Sequence, residues 1–188
     1  IPLGDFVLRR ATAEASSWPH DIKVAVNVSP AQFKGAQLVE SVARALAESG
    51  LPAERLELEI TESVLLQDNA ATLAVLHALR SLGVRVSMDD FGTGYSSLSY
   101  LRSFPFDKIK IDQCFIRDLP TNQDSGAIVR AITGLGRSMG MRITAEGVET
   151  ESQLDQVRQE GCSEAQGYYF SRPAPAADIP TLLARWGG

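Results

Sequence analysis

The chain has 188 residues, 44% of them hydrophobic and 22% charged, with a net charge of −5. That is room for one domain with a full core; it leaves no apolar run of the ~18–20 residues a membrane helix needs and argues against a basic groove for duplex nucleic acid. There is no signal-peptide pattern at the front, and Cys114 and Cys162 have no metal-type spacing, which fits two packed thiols in a reduced cytoplasmic protein.

The first residue is Ile1, and the first element already reads as a helix over residues 3–17, with Phe6, Val7, Ala11 and Ala15 at helical spacing. The chain therefore reads as a piece of a longer protein. A strand is predicted over 22–28, then a helix over 36–48 closed by Gly50. Next come a strand over 56–61, a helix over 69–82 stopping at Gly83, and a strand over 84–89. A short helix over 97–102 and a strand over 108–112 follow. Later come a helix over 124–139 stopping at Gly140, a strand over 141–146, and a helix over 151–159 stopping at Gly161. A last short strand over 166–170 and a closing helix over 177–185 end the pattern. Six strands alternating with helices predict an α/β protein with a parallel sheet.

Strand parity is the most informative feature, because side chains alternate strictly between the two faces of a strand. In 24–28 the valines take one face and Asn27 the other. In 56–61 the aliphatics oppose Glu57, Glu59 and Thr61. Asp89 opposes Val84, Val86 and Met88; Lys110 and Asp112 oppose Ile109 and Ile111; Thr144 and Glu146 oppose Met141, Ile143 and Ala145. An open doubly wound sheet wants both faces apolar, whereas a barrel packs its outer face on helices and admits polar groups inside, near the carboxyl ends of the strands. The spacing thus predicts one cluster of four carboxylates, an amide and a lysine: Glu59, Asp89, Asp112, Glu146, Asn27 and Lys110.

Such carboxylates repel one another when buried, so a divalent cation is expected among them. An all-oxygen donor set without His or Cys favours Mg²⁺ or Mn²⁺, or Ca²⁺, over Zn²⁺. A lysine beside hard metals suits phosphoryl chemistry. Asp89 is followed by Asp90 and the turn Phe91-Gly92-Thr93-Gly94-Tyr95, and alternation points Asp90 away from Asp89 unless the backbone turns there. The histidines, His20 and His77, fall on no strand end. Glu149 could cap the helix that follows it, and Tyr168 and Tyr169 read as packing residues.

These motifs resemble the EAL domain family, phosphodiesterases of the bacterial second messenger cyclic di-GMP. The resemblance rests on Asn27-Val28-Ser29, Glu59-Ile60-Thr61-Glu62-Ser63, Asp89-Asp90-Phe91-Gly92-Thr93-Gly94-Tyr95-Ser96-Ser97-Leu98, Phe104-Pro105-Phe106-Asp107, Lys110-Ile111-Asp112, Ala145-Glu146-Gly147-Val148-Glu149-Thr150 and Gln166-Gly167-Tyr168-Tyr169-Phe170-Ser171, in family order along almost the whole chain.

It implies a (β/α)₈ TIM-barrel-like fold and hydrolysis of cyclic di-GMP to linear pGpG, with residues 1–188 forming the C-terminal three quarters of the domain. It also implies a two-metal Mg²⁺ or Mn²⁺ site, with Ca²⁺ as a candidate inhibitor. Asn27, Glu59 and Asp89 would hold the first ion, and Asp89 would bridge to a second with Asp90 and Glu146. Lys110 would hold the attacking water or the phosphate, with Glu146 as general base and Asp112 nearby. Glu62 would brace the loop from Asp89 to Tyr95, and Glu149 and Gln166 would shape the substrate pocket.

The resemblance further implies a homodimer, fusion to sensory, receiver or GGDEF domains, and a cytoplasmic location for the domain, which is compatible with a membrane anchor elsewhere in a longer protein. One departure stands out. The family's Glu-Ala-Leu motif, whose glutamate is a metal ligand, does not occur, so the barrel is expected to lack its first two strands and show about six. If the upstream glutamate is missing altogether, the alternative is a receptor that binds cyclic di-GMP without cleaving it.

Overall fold

The structure, a computed structural model, describes residues 2–19, 22–33, 37–65, 69–93, 101–102, 104, 106–119 and 121–186. The chain divides into two compact units, residues 1–89 with 94–107 and residues 90–93 with 108–188.

In the first unit, helix α1 (Pro2–Ser16), strand β1 (Val24–Asn27), helix α2 (Gln37–Ser49), strand β2 (Leu56–Thr61), helices α3 (Glu62–Leu65) and α4 (Asn69–Ser81) and strand β3 (Arg85–Phe91) follow one another. Asp90 and Phe91, at the end of β3, belong to the second unit. The strands run parallel in the order β1-β2-β3, with Asn27 beside Glu59, Glu59 beside Ser87 and Thr61 beside Asp89. The alternation expected from the sequence is present. Val26, Leu58, Ile60, Val86 and Met88 are buried on one face, and Asn27, Glu59, Ser87 and Asp89 share the other. Full burial of such aliphatic side chains contributes roughly 1.5–3 kcal/mol each.

Helix α1 differs from its expected orientation. Leu8, Thr12 and Ala15 are its buried stripe, whereas Phe6 and Val7 are exposed. Thr12 can be buried because its hydroxyl donates to the carbonyls of Leu8 (3.0 Å) and Ala45 (3.3 Å), the latter on α2. The chain leaving α1 is held by Arg55, which is buried and donates to the carbonyls of Ile22 (2.7 Å), Ala15 (2.8 Å) and Trp18 (3.4 Å). A guanidinium suits this place, since it supplies several donors to carbonyls at the electronegative end of a helix. His77 lies on α4, exposed, with its ring edge-on to Phe104 at 5.3 Å; His20 lies outside the described residues.

In the second unit, strand β4 (Lys108–Ile111), helices α5 (Gln113–Arg117) and α6 (Gln123–Ser138), strand β5 (Arg142–Ala145), helix α7 (Glu151–Gln159), strand β6 (Glu164–Ala165) and helix α8 (Ile179–Trp186) follow. The strands are again parallel, with Lys110 beside Thr144 and Thr144 beside Glu164. Ile109, Ile111, Ile143 and Ala145 form the buried apolar face. Glu164 ties the three strands together. It accepts from Lys108 (2.7 Å), Arg142 (2.7 Å) and the Thr144 hydroxyl (3.0 Å). Burial alone would raise its pKa, but Lys108, Arg142 and Thr144 outweigh that and hold it below the usual carboxylate range.

The last strand is a correction to the expected 166–170. Only Glu164 and Ala165 pair, and residues 167–170 instead form a turn, with the Phe170 amide on the Gly167 carbonyl (3.1 Å). The aromatic run that resembled a strand packs instead as a ring cluster, Tyr169 on Phe170 and Phe170 on Trp186 of α8. The expected helix over 97–102 lies mostly outside the described residues; Leu101 and Arg102 are helical.

Candidate active site

The chemistry-bearing side chains of the second unit gather where β4, β5 and β6 end. The Lys110 ammonium is buried and meets Glu146 Oε1 at 2.6 Å. One oxygen of Asp90 and one of Glu146 lie within 4.8 Å of each other. A cleft of about 270 Å³ opens here, lined by Asp90, Asp112, Glu146, Glu149 and Gln166, together with Gln113, Gly147, Gly167 and Tyr168. Of the residues expected at the site, the second unit therefore brings together Asp90, Lys110, Asp112, Glu146, Glu149 and Gln166.

Asp90 reaches the cleft because the backbone turns. Its φ is +53°, in the left-handed region that an aspartate tolerates better than most side chains. The turn is closed by Thr93, whose hydroxyl donates to the Asp90 carbonyl at 2.9 Å. Plain alternation would have sent Asp90 to the opposite face from Asp89. The left-handed residue breaks that alternation.

Asp112 Oδ1 accepts the Cys114 amide at 2.8 Å, capping α5, and the residue lines the cleft with Asp90. Burial would raise its pKa, but the bonds from Cys114 and Asp90 and the charge of Arg117 outweigh that and set it below the ordinary carboxylate value. In return, burial first and the hydrogen bond and charge of Asp112 next push the Cys114 thiol up to about 11.

The floor of the cleft is three backbone segments laid side by side. Gly147, at φ +69°, approaches Gln113 so closely that an added Cβ would fall 2.5 Å from the Gln113 Cβ. At Gly167 a Cβ would collide with the Val148 backbone. The glycines thus let the chain after β4, after β5 and after β6 pack without a gap. Glu149 is exposed and does not cap α7. Thr150 does so, in a reciprocal pair with Gln153, and the Gln153 side chain also accepts the Glu149 amide at 2.8 Å.

In the first unit, Asn27, Glu59 and Asp89 lie on one face of the sheet, Asn27 exposed and both acids buried. Glu62 opens α3, half-buried. The loop it was expected to brace lies, from residue 94 to 100, outside the described residues. Two lining residues were not anticipated. Gln113 follows Asp112 at a strand end, a position that could have marked it, and Tyr168, read as a packing residue, is half exposed.

Among the described residues no helix is long and apolar enough to cross a membrane. The donors that meet at the cleft are all oxygen, with no His or Cys. That donor set fits a hard divalent ion.

The family model described as the EAL domain matches residues 1–173, so the chain belongs to the EAL domain family. It is 43% identical over 188 residues to the bifunctional diguanylate cyclase/cyclic di-GMP phosphodiesterase MucR of Pseudomonas aeruginosa, covering 98% of this chain and 27% of that protein. The EAL domain of Mycobacterium smegmatis DcpA superposes with a TM-score of 0.92 at 44% identity, over 98% of this chain and 84% of that one. Klebsiella pneumoniae BlrP1, in a complex with manganese and cyclic di-GMP, superposes with a TM-score of 0.81 at 31% identity, over 92% of this chain and 45% of that one. The fold is accordingly the expected α/β, TIM-barrel-like one. The chain spans between 21% and 27% of the length of the first curated relatives it matches.

Proposed function

We propose that the chain is the phosphodiesterase part of a signalling protein that hydrolyses cyclic di-GMP to linear pGpG with Mg²⁺ or Mn²⁺. The observation that carries the reading is the Lys110–Glu146 pair at 2.6 Å, set among the oxygen donors of Asp90 and Asp112 in one cleft. Relatives named as cyclic di-GMP phosphodiesterases, and solved structures described as complexes with that nucleotide, support the same substrate. Asp90 and Glu146 would hold hard ions, and by the family pattern Asn27, Glu59 and Asp89 would donate to them too. Such ions, when bound, make water more acidic and offset phosphate charge.

The protein's own groups supply the rest. Glu146 takes the proton from the attacking water as that oxygen bonds to phosphorus; the bond from phosphorus to one ribose oxygen breaks, and that oxygen takes its proton from solvent. Lys110, already desolvated, transfers its ammonium from Glu146 to the phosphate when substrate arrives, which frees Glu146 as a base and neutralises developing charge. Asp112 adds a carboxylate to the cleft beside Asp90, and Glu149 and Gln166 shape the pocket wall.

The test is to incubate the full-length protein with cyclic di-GMP and Mg²⁺ or Mn²⁺ and follow pGpG by chromatography. Glu146→Gln is expected to lower turnover by about a hundredfold or more. Binding without turnover in either metal would replace this reading by that of a non-cleaving receptor. The proposal extends to a cytoplasmic site of action, fusion to sensory, receiver or GGDEF domains, and a homodimer that pairs near the turn after Asp90. A monomer by light scattering at high concentration would remove the last of these.

A further inference from the structure

Ser87 stands in the middle of the polar face of the first unit and has no part in the phosphate chemistry above. It is fully buried, in register with Glu59 on β2 and two residues before Asp89 on β3. Residues two apart on a strand point to the same face, so its side chain shares the face that carries both acids, which are themselves buried. The Ser87 hydroxyl has no hydrogen-bond partner among the described residues. A buried hydroxyl normally finds one, because an unsatisfied one has given up its hydration for nothing. Alanine would fill nearly the same space without that cost. The register says which group the hydroxyl can serve. Neighbouring strands lie about 4.8 Å apart, so two side chains paired in register on one face are within reach of each other. One row toward the start of the strands Glu57 stands opposite Arg85, and one row toward their end Thr61 stands opposite Asp89. Glu59 is the carboxylate in the row of Ser87 itself. A carboxylate that gives one oxygen to a cation keeps a second oxygen able to accept, and a donor to that oxygen fixes the orientation of the ligand.

We propose that Ser87 is a positioning residue for the divalent cation that Glu59 and Asp89 would hold: its hydroxyl donates to the Glu59 oxygen that does not face the ion, and so fixes that carboxylate in its binding orientation. The inference rests on the functional reading above, and within it only on a hard ion at these two acids. Ser87 touches neither substrate nor ion. Cation binding gives a partner to a hydroxyl that the metal-free protein leaves unsatisfied, so the same group that weakens the metal-free fold strengthens the loaded one.

The experiment measures Mn²⁺ binding to the full-length protein by calorimetry, with Glu59→Gln marking the heat that belongs to this site, and urea unfolding of the metal-free protein. Ser87→Ala is expected to weaken Mn²⁺ binding at the site about tenfold. The Mn²⁺ concentration for half-maximal hydrolysis of cyclic di-GMP should rise by a like factor, with kcat at saturating Mn²⁺ within about twofold of wild type. The metal-free Ser87→Ala protein is expected to unfold at the same urea concentration as wild type or a higher one, because it has lost an unsatisfied group. A serine that only packs or bonds within the fold would do the reverse, leaving Mn²⁺ affinity unchanged and lowering the midpoint. Wild-type Mn²⁺ affinity in Ser87→Ala, or a lower metal-free midpoint, would overturn the inference and leave the functional reading in place. Mn²⁺ binding that weakens in Ser87→Ala, in a protein that does not hydrolyse cyclic di-GMP, would overturn the functional reading and support this one. A wild-type protein that takes up no Mn²⁺ at the site would overturn both.

Discussion

The second unit contains two strand-to-helix turns that look alike in sequence and do different work. After β4 a single residue, Asp112, joins strand to helix, and it caps α5 with the same carboxylate that faces the cleft. After β5 the chain runs through Glu146, Gly147, Val148 and Glu149 before Thr150 caps α7, with Gln153 completing the pair. The long turn separates the labour. Thr150 stabilises the helix, and Glu149, left out of the cap, faces the cleft. The short turn merges the two tasks, so Asp112 contributes to stability and to the site through one side chain.

The comparison breaks if the two turns respond alike to substitution. The largest effect is expected at Asp112. Asp112→Ala removes a cap and a cleft carboxylate together, and should cost about 1 kcal/mol in urea unfolding as well as most of the phosphodiesterase activity. Asp112→Asn keeps a good capping side chain, so it should unfold within about 0.5 kcal/mol of wild type while activity still falls. At the longer turn the effects should separate. Thr150→Ala is expected to lose about 1 kcal/mol of stability with kcat/KM nearly unchanged, and Glu149→Gln to change KM with the urea midpoint unmoved. An Asp112→Asn variant with full activity would show that its carboxylate serves the helix alone.

What could be read in advance follows the same division. The polar rows of both units, with Asn27, Glu59 and Asp89 in one and Lys110 and Glu146 in the other, were legible because alternation is a local property of a regular strand. So were the helix ends at Gly50, Gly83, Gly140 and Gly161, all of which take positive φ. What was not legible depends on something outside the local pattern. The aromatics Tyr168 to Phe170 have strand propensity, but Gly167 must pass over Val148, and the rings then pack with Trp186 instead of entering a ladder. The buried stripe of α1 was misplaced because Thr12, polar by type, is satisfied by backbone carbonyls, whereas Phe6 and Val7, apolar by type, are exposed. Asp90 was ambiguous for the same reason: one left-handed residue breaks the alternation and leaves no mark on the apolar pattern.

The smallest predicted effect reads the state of Asp112 directly. The thiols of Cys114 and Cys162 are both raised to about 11, but by different neighbours. For Cys162 the causes are burial and then the charge of Glu160; for Cys114 they are burial and then the hydrogen bond and charge of Asp112. A thiol whose folded pKa exceeds its unfolded value favours the folded state below the unfolded pKa. It loses that contribution as pH rises through the interval between the two, here from roughly pH 8.5–9 to about 11. Asp112→Asn removes the carboxylate charge beside Cys114 and leaves Cys162 as it was. Thiolate absorbance titrated from pH 8 to 12 should then show one transition moving down toward the free-thiol value while the other stays near 11. Two unmoved transitions would mean that burial alone sets Cys114, and that the Asp112 carboxylate does not bear on its thiol.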